Sequence, residues 1–144
     1  MMMKRILIFV LLVWSYLLAL ALDNKPIVLD QEVVAGRWLE TKYTKDKIDR
    51  TDDNISSILI FKENLNFHKG KNTEAMIIFD IAGKYSVQGD SINITYFDFS
   101  TKRPDSNKPR KMVINVHSIV RDEMKVTVNE SDRHKYEAIL TRQD

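Results

Sequence analysis

The chain has no cysteine. That absence excludes disulfide staples, thiolate metal sites and thiol redox chemistry, and it removes the side chain that would carry an acyl anchor. Proline and glycine are scarce, 3 and 4 in 144 residues, and no linker rich in Pro, Gly or Ser divides the sequence. Helical periodicity is missing beyond the N-terminal segment, apart from one candidate turn in residues 43–50. Net charge is missing too. The formal +2 is that of Lys4 and Arg5, so beyond Ala21 acidic and basic residues balance. A balanced chain exerts no global attraction on nucleic acid or on an anionic membrane, and no nucleic-acid partner is expected.

What is present begins at the N-terminus. Lys4 and Arg5 precede an apolar run over residues 6–13; Trp14, Ser15 and Tyr16 follow, and the segment closes on Ala19-Leu20-Ala21. A basic start, a short apolar middle and a small-x-small end are the order of a secretory signal peptide, with cleavage expected after Ala21. A retained anchor is the alternative, at the short edge of what a bilayer requires. Residues 1–21 are therefore read as the signal, 22–32 as an extended lead-in kept out of helix by Pro26, and 33–144 as one β-domain. Cleavage leaves no stable membrane span and places the domain in the periplasm or outside the cell. A domain of this length buries a core without staples.

From Val33 onward the pattern has period two. The first strand is read at 36–41, and 42–54 as a long charged connection. Residues 57–62 and 65–69 flank a tight turn. Residues 75–80 are apolar enough to predict burial on both faces, and 83–87 alternate. Ile92, Ile94 and Tyr96 share a face opposite Asn93 and Thr95; the phase slip at Phe97 and Phe99 predicts a bulge or bend. Residues 100–110 read as a loop. Met112, Ile114, Val116 and Val120, then Met124, Val126 and Val128, then Tyr136, Ala138 and Leu140 complete the pattern. Eight or nine short strands with hairpin turns predict an all-β fold, an antiparallel up-and-down barrel of about eight strands, because closure removes exposed edges.

Gly36-Arg37-Trp38 opens the first strand. Gly83-Lys84-Tyr85-Ser86-Val87 leads into Gly89-Asp90-Ser91-Ile92, and Leu59 and Phe67 flank the earlier turn. Over residues 33–141 this layout resembles the small bacterial lipocalin-like domains of the calycin group. The resemblance implies a barrel plugged at its closed end by Trp38, with Gly36 admitting the chain and a late arginine stacked on the indole. Arg142 is the first candidate for that arginine and Arg133 the second. The resemblance also implies a small apolar or amphipathic ligand inside the barrel. The chain departs from the pattern in lacking the disulfide, the helix after the barrel and a second Thr-Asp-Tyr-type motif.

Chemistry-bearing clusters are few. His68, His117 and His134 lack metal-ligand spacing, so no metal or other cofactor is expected. Asp52-Asp53 and Asp122-Glu123 fall in turns, where neighbouring carboxylates point apart. No nucleophile-and-base order and no phosphate loop is present, so no catalytic residue is named and no enzyme is expected. Tyr85, Tyr96, Phe61 and Phe79 are the candidate ligand residues, the tyrosines because a hydroxyl can orient a ligand. Lys102, Arg103, Lys108, Arg110 and Lys111 form the one clustered charge, a candidate grip for an anionic headgroup or an acidic partner. Two roles follow. One is a carrier of a small lipophilic ligand. The other is a periplasmic protein-binding module (an inhibitor, immunity factor or envelope-complex subunit) acting through its loops.

Overall fold

The alternation of apolar and polar residues closes into a ring. A computed structural model describes residues 2–23, 26–51, 57–72, 76–100, 108–130 and 134–143. A helix, α1 (Met2–Asp23), and a single helical turn, α2 (Gln31–Val34), precede the strands. These are β1 (Gly36–Lys45), β2 (Ile48–Asp49), β3 (Ser57–Phe61), β4 (Asn66–Asn72), β5 (Ile77–Gln88), β6 (Ser91–Asp98), β7 (Arg110–Val120), β8 (Glu123–Glu130) and β9 (Lys135–Gln143). From β3 to β9 each strand pairs antiparallel with the next, and β1 pairs with both β3 and β9. The result is a closed eight-strand barrel, with β2 as an extra strand hydrogen-bonded to the far end of β1. Among the described residues no helix is long and apolar enough to cross a membrane.

Period two sends one set of side chains inward. Trp38, Leu59, Phe61, Phe67, Ile92, Ile94, Met112, Ile114, Val126 and Leu140 are buried in one cluster. Burial of each contributes roughly 1.5–3 kcal/mol. Their outward neighbours Lys84, Thr95, Lys111, Lys125 and Glu137 are exposed. An apolar interior with a charged exterior is the inverse of a membrane-spanning barrel.

Five local readings change. Val120 does not share the buried face of Met112, Ile114 and Val116; it is 66% exposed, because the register shifts between Val116 and Ser118. Residues 42–45 continue β1, and Asp46-Lys47 turns the chain into β2 with φ of 54° and 63°. Two positive-φ residues in a two-residue connection match the right-handed twist of a hairpin, and the charge of this stretch hides it. Residues 77–88 form one long strand, not two, with a register shift opposite Lys69 and Gly70. Its first part is not buried on both faces, for Ile78 and Phe79 are 53% and 43% exposed. β6 keeps its register against both neighbours, so the slip at Phe97 is no bulge; it marks two phenylalanines on the outer face. The lead-in is only partly extended, since α2 interrupts it under an N-cap from Asp30.

Candidate functional site

The two ends of the barrel are built differently. At one end the chain enters β1 through Gly36, whose φ is +139°, a conformation that L side chains rarely adopt. A Cβ there would sit 2.5 Å from Arg142 Nη1. Arg142 occupies that space because it lies over Trp38, its guanidinium carbon 4.3 Å from the ring centroid. The guanidinium donates to the carbonyls of Ala35, at 2.7 Å, and Val33. The buried indole donates from Nε1 to the Val34 carbonyl at 2.8 Å. Leu29 N–H donates to the Gly89 carbonyl at 2.8 Å, and Leu29 and Val34 are buried with the core. Stacked cation, indole and helical turn thus satisfy one another and seal this end.

The opposite end is lined by polar groups on inward positions. Thr41 forms a bulge against β9, so that Glu40 pairs with Leu140 and Tyr43 with Ala138, and both turn toward the interior. β4 adds Lys69, β6 Asp98, β7 Arg110, β8 Glu130 and β9 Tyr136, with His134 just before β9. Glu40 and Tyr136 are only 5% and 4% exposed. Tyr43 and Tyr136 pack ring on ring at 4.5 Å.

The hydrogen bonds here run in a fixed sense. Lys69 Nζ donates to Tyr136 Oη at 3.2 Å, and the Tyr136 hydroxyl bonds in turn to Glu40. Lys45 Nζ lies 3.0 Å from His134 Nδ1, and His134 Nε2 lies 3.2 Å from Tyr43 Oη. An ammonium has no acceptor, so it donates to Nδ1, the imidazole proton resides on Nε2, and Nε2–H donates to Tyr43. The Tyr43 hydroxyl proton then remains to be offered to an acceptor. Arg110 lies 3.8 Å from Asp98, both partly shielded. Among the described residues, Lys45, Lys69 and Arg110 stand here with Glu40, Asp98 and Glu130, and the charge of Arg50 also reaches Tyr43.

Burial and then the negative charges of Glu40 and Glu130 push the Tyr136 hydroxyl well above the ordinary tyrosine range. Burial, then the same two carboxylates, also raise Tyr43, against the opposing charges of Lys69 and Arg50. The folded chain therefore keeps protons that the unfolded chain releases above about pH 10. Stability is full below that pH and falls as pH rises through the folded values. Tyr136→Phe is expected to lower neutral-pH stability by about 1–2 kcal/mol, through two lost hydrogen bonds, and to flatten the alkaline fall. Urea midpoints measured from neutral to strongly alkaline pH check both; an unchanged alkaline slope refutes the assignment.

The residues singled out from the sequence separate. Phe61 and Tyr85 belong to the packed base half: Phe61 meets Phe67 and Tyr85 at 5.1 Å, and Tyr85 Oη donates to the Lys62 carbonyl at 2.7 Å. Tyr96 is buried, paired with Gly83 and Arg110. Phe79 sits on the outer face against His68. Lys108 and Lys111 are exposed, whereas Arg110 turns inward to Asp98. Lys102, Arg103 and Arg133 lie outside the described residues. His117 bonds Thr127 on the outer wall, beside a groove of about 340 Å³ lined by Lys42, Lys125 and Ile139. Among the described residues no group of three or more His, Asp or Glu could hold a metal ion. Sequence reasoning missed Glu40, Tyr43, Lys69, His134 and Tyr136 as a cluster. A signal existed for two of them: Glu40 and Lys69 each stand two residues beyond a buried aromatic, Trp38 and Phe67, and so share its face.

Comparison of the sequence with protein-family models and with curated proteins finds no match.

Proposed function

We propose that this chain is an exported, lipocalin-like carrier without catalytic activity, which takes a small amphipathic molecule into the polar half of its barrel. The observation that carries this reading is the split interior. The base half is filled by its own aromatic and aliphatic side chains, whereas the other half sets charged side chains of both signs, with Glu40 buried, around two tyrosines whose rings meet at a tilt. A core built for stability alone gains little from a buried Glu40 carboxylate and a partly shielded Asp98–Arg110 pair, since desolvation offsets the attraction. Donors that survive the internal bonding, the Tyr43 hydroxyl and further N–H groups of Lys45 and Lys69, suit a head that accepts hydrogen bonds. The presence of both signs of charge around these donors favours an uncharged head, such as an ester, amide or alcohol, with its apolar part directed toward Ile94 and Met112.

Native mass spectrometry of the protein isolated from its host tests this. The expected result is a small-molecule adduct whose occupancy falls about tenfold in a Tyr43→Phe, Lys69→Met double variant. A chain that is empty in the parent rejects the carrier reading, and so does an adduct indifferent to both substitutions.

A further inference from the structure

The outer wall carries an apolar feature that the interior does not explain. Phe79, Phe97 and Phe99 are 43%, 38% and 67% exposed. Single exposed apolar residues are ordinary, but grouped ones mark a contact surface. Their grouping follows from register. Phe97 pairs with Ala82, and Phe99 N–H donates to the Asp80 carbonyl at 2.7 Å, one outward row further along. The rings of Phe97 and Phe99 lie 6.4 Å apart, and Phe79 reaches His68 at 6.1 Å. The patch therefore spans β4 to β6 near the polar end of the barrel.

A row of cations stands behind it. Lys84 pairs with Thr95, and Thr95 with Lys111, two residues from the Ala82–Phe97 pair on the same outer face. Two residues of strand are about 6.8 Å. Both lysines are exposed, as is Lys108 just before β7; Asp98, between Phe97 and Phe99, faces inward toward Arg110, and Asp80 adjoins Phe79.

We infer that this face docks on an anionic lipid surface. Rings that enter about 5–10 Å below the headgroups would leave the lysine row level with the phosphates. The order of apolar tip followed by long, snorkelling ammonium chains is that of an interfacial anchor. The type of cation selects lipid over protein: lysine is depleted from protein interfaces, where arginine is enriched, and among the described residues the cations exposed beside these rings are lysines. The attraction is local, so the overall charge balance of the chain does not oppose it. The patch lies at the same end as the polar interior, which would bring the carrier's polar half to a membrane. The inference nevertheless stands whether or not the barrel holds a ligand.

The test is partition of the protein isolated from its host onto vesicles. One set contains phosphatidylglycerol with phosphatidylethanolamine, the other phosphatidylcholine alone. Binding is expected to the first set and to weaken with added salt. Lys84→Gln with Lys111→Gln is expected to weaken it about 30-fold, from the attraction typical of a lysine near an anionic surface. Phe97→Ser with Phe99→Ser is expected to weaken it at least tenfold. A Phe99→Trp variant provides a reading that does not rely on lost binding: its emission should shift to the blue on anionic vesicles and stay unshifted on phosphatidylcholine. Equal binding to both vesicle sets overturns the inference, as does binding unchanged in the lysine variant, or an emission from the Phe99→Trp variant that never shifts. Self-association or capture of a protein through these phenylalanines, without vesicle binding, overturns it in favour of a protein face.

Discussion

Trp38→Ala is expected to destabilise the barrel by about 3–5 kcal/mol, the range for emptying a core aromatic site. For a domain of this size that lowers the melting temperature by roughly 12–20 °C. The loss is large because three things go together. The indole is fully buried, so its removal leaves a void that backbone strands on either side cannot fill. Its Nε1 bond to the Val34 carbonyl disappears, leaving a buried acceptor at the end of α2. Arg142 loses the ring beneath it while keeping its bonds to Val33 and Ala35. Trp38→Phe should recover most of the packing but not the indole bond, and should fall between alanine and the parent. Thermal and urea unfolding followed by far-ultraviolet circular dichroism check the series. An alanine variant that melts with the parent would show that this end of the barrel is not sealed by the indole.

Gly83→Ala is expected to cost about 3 kcal/mol, although it adds one methyl group. A Cβ at this position would lie 2.6 Å from the Tyr96 Cα, with the Thr95 carbonyl also in its way. Those atoms are backbone, held by the β5–β6 ladder and, through Tyr96, by the pairing with Arg110 on β7. No rotamer change relieves the contact; β6 itself has to move. Gly89→Ala is the useful contrast. Gly89 has a φ of +59°, yet nothing lies within 4 Å of its would-be Cβ. It should cost only the strain of a left-handed residue, about 1–2 kcal/mol. Equilibrium urea unfolding of both variants separates close approach from backbone conformation. A Gly83 variant no worse than the Gly89 variant would mean that the two strands do not meet so closely.

Much of the barrel was legible before any coordinates, and the reason is physical. Side chains on a strand alternate strictly, so Ile92, Ile94 and Tyr96, or Met124, Val126 and Val128, announce their buried face without any long-range information. Hairpin connections keep sequence neighbours adjacent in space, which makes strand order readable as well. The plug was legible only through likeness, since Gly36, Trp38 and Arg142 meet across 107 residues between Ala35 and Arg142. The polar half was not legible as a site. Tyr43 and His134 are 91 residues apart, and their contact depends on ring closure between β1 and β9. It also depends on Thr41, whose bulge changes which face Tyr43 takes; strict alternation from Trp38 would have sent Tyr43 outward. The stretch around Asp46 and Lys47 misled for a related cause: positive φ at two charged residues makes a hairpin where composition suggests a loop.

The amino-acid order alone therefore determined the class of fold, the antiparallel order of strands and most of the apolar interior, because each rests on local alternation and short turns. Tertiary closure decided the rest. It gathered Glu40, Lys69, His134 and Tyr136 at one end and left Phe79, Phe97 and Phe99 on the outer wall, since both outcomes depend on register between strands that are remote in sequence or shifted by a bulge.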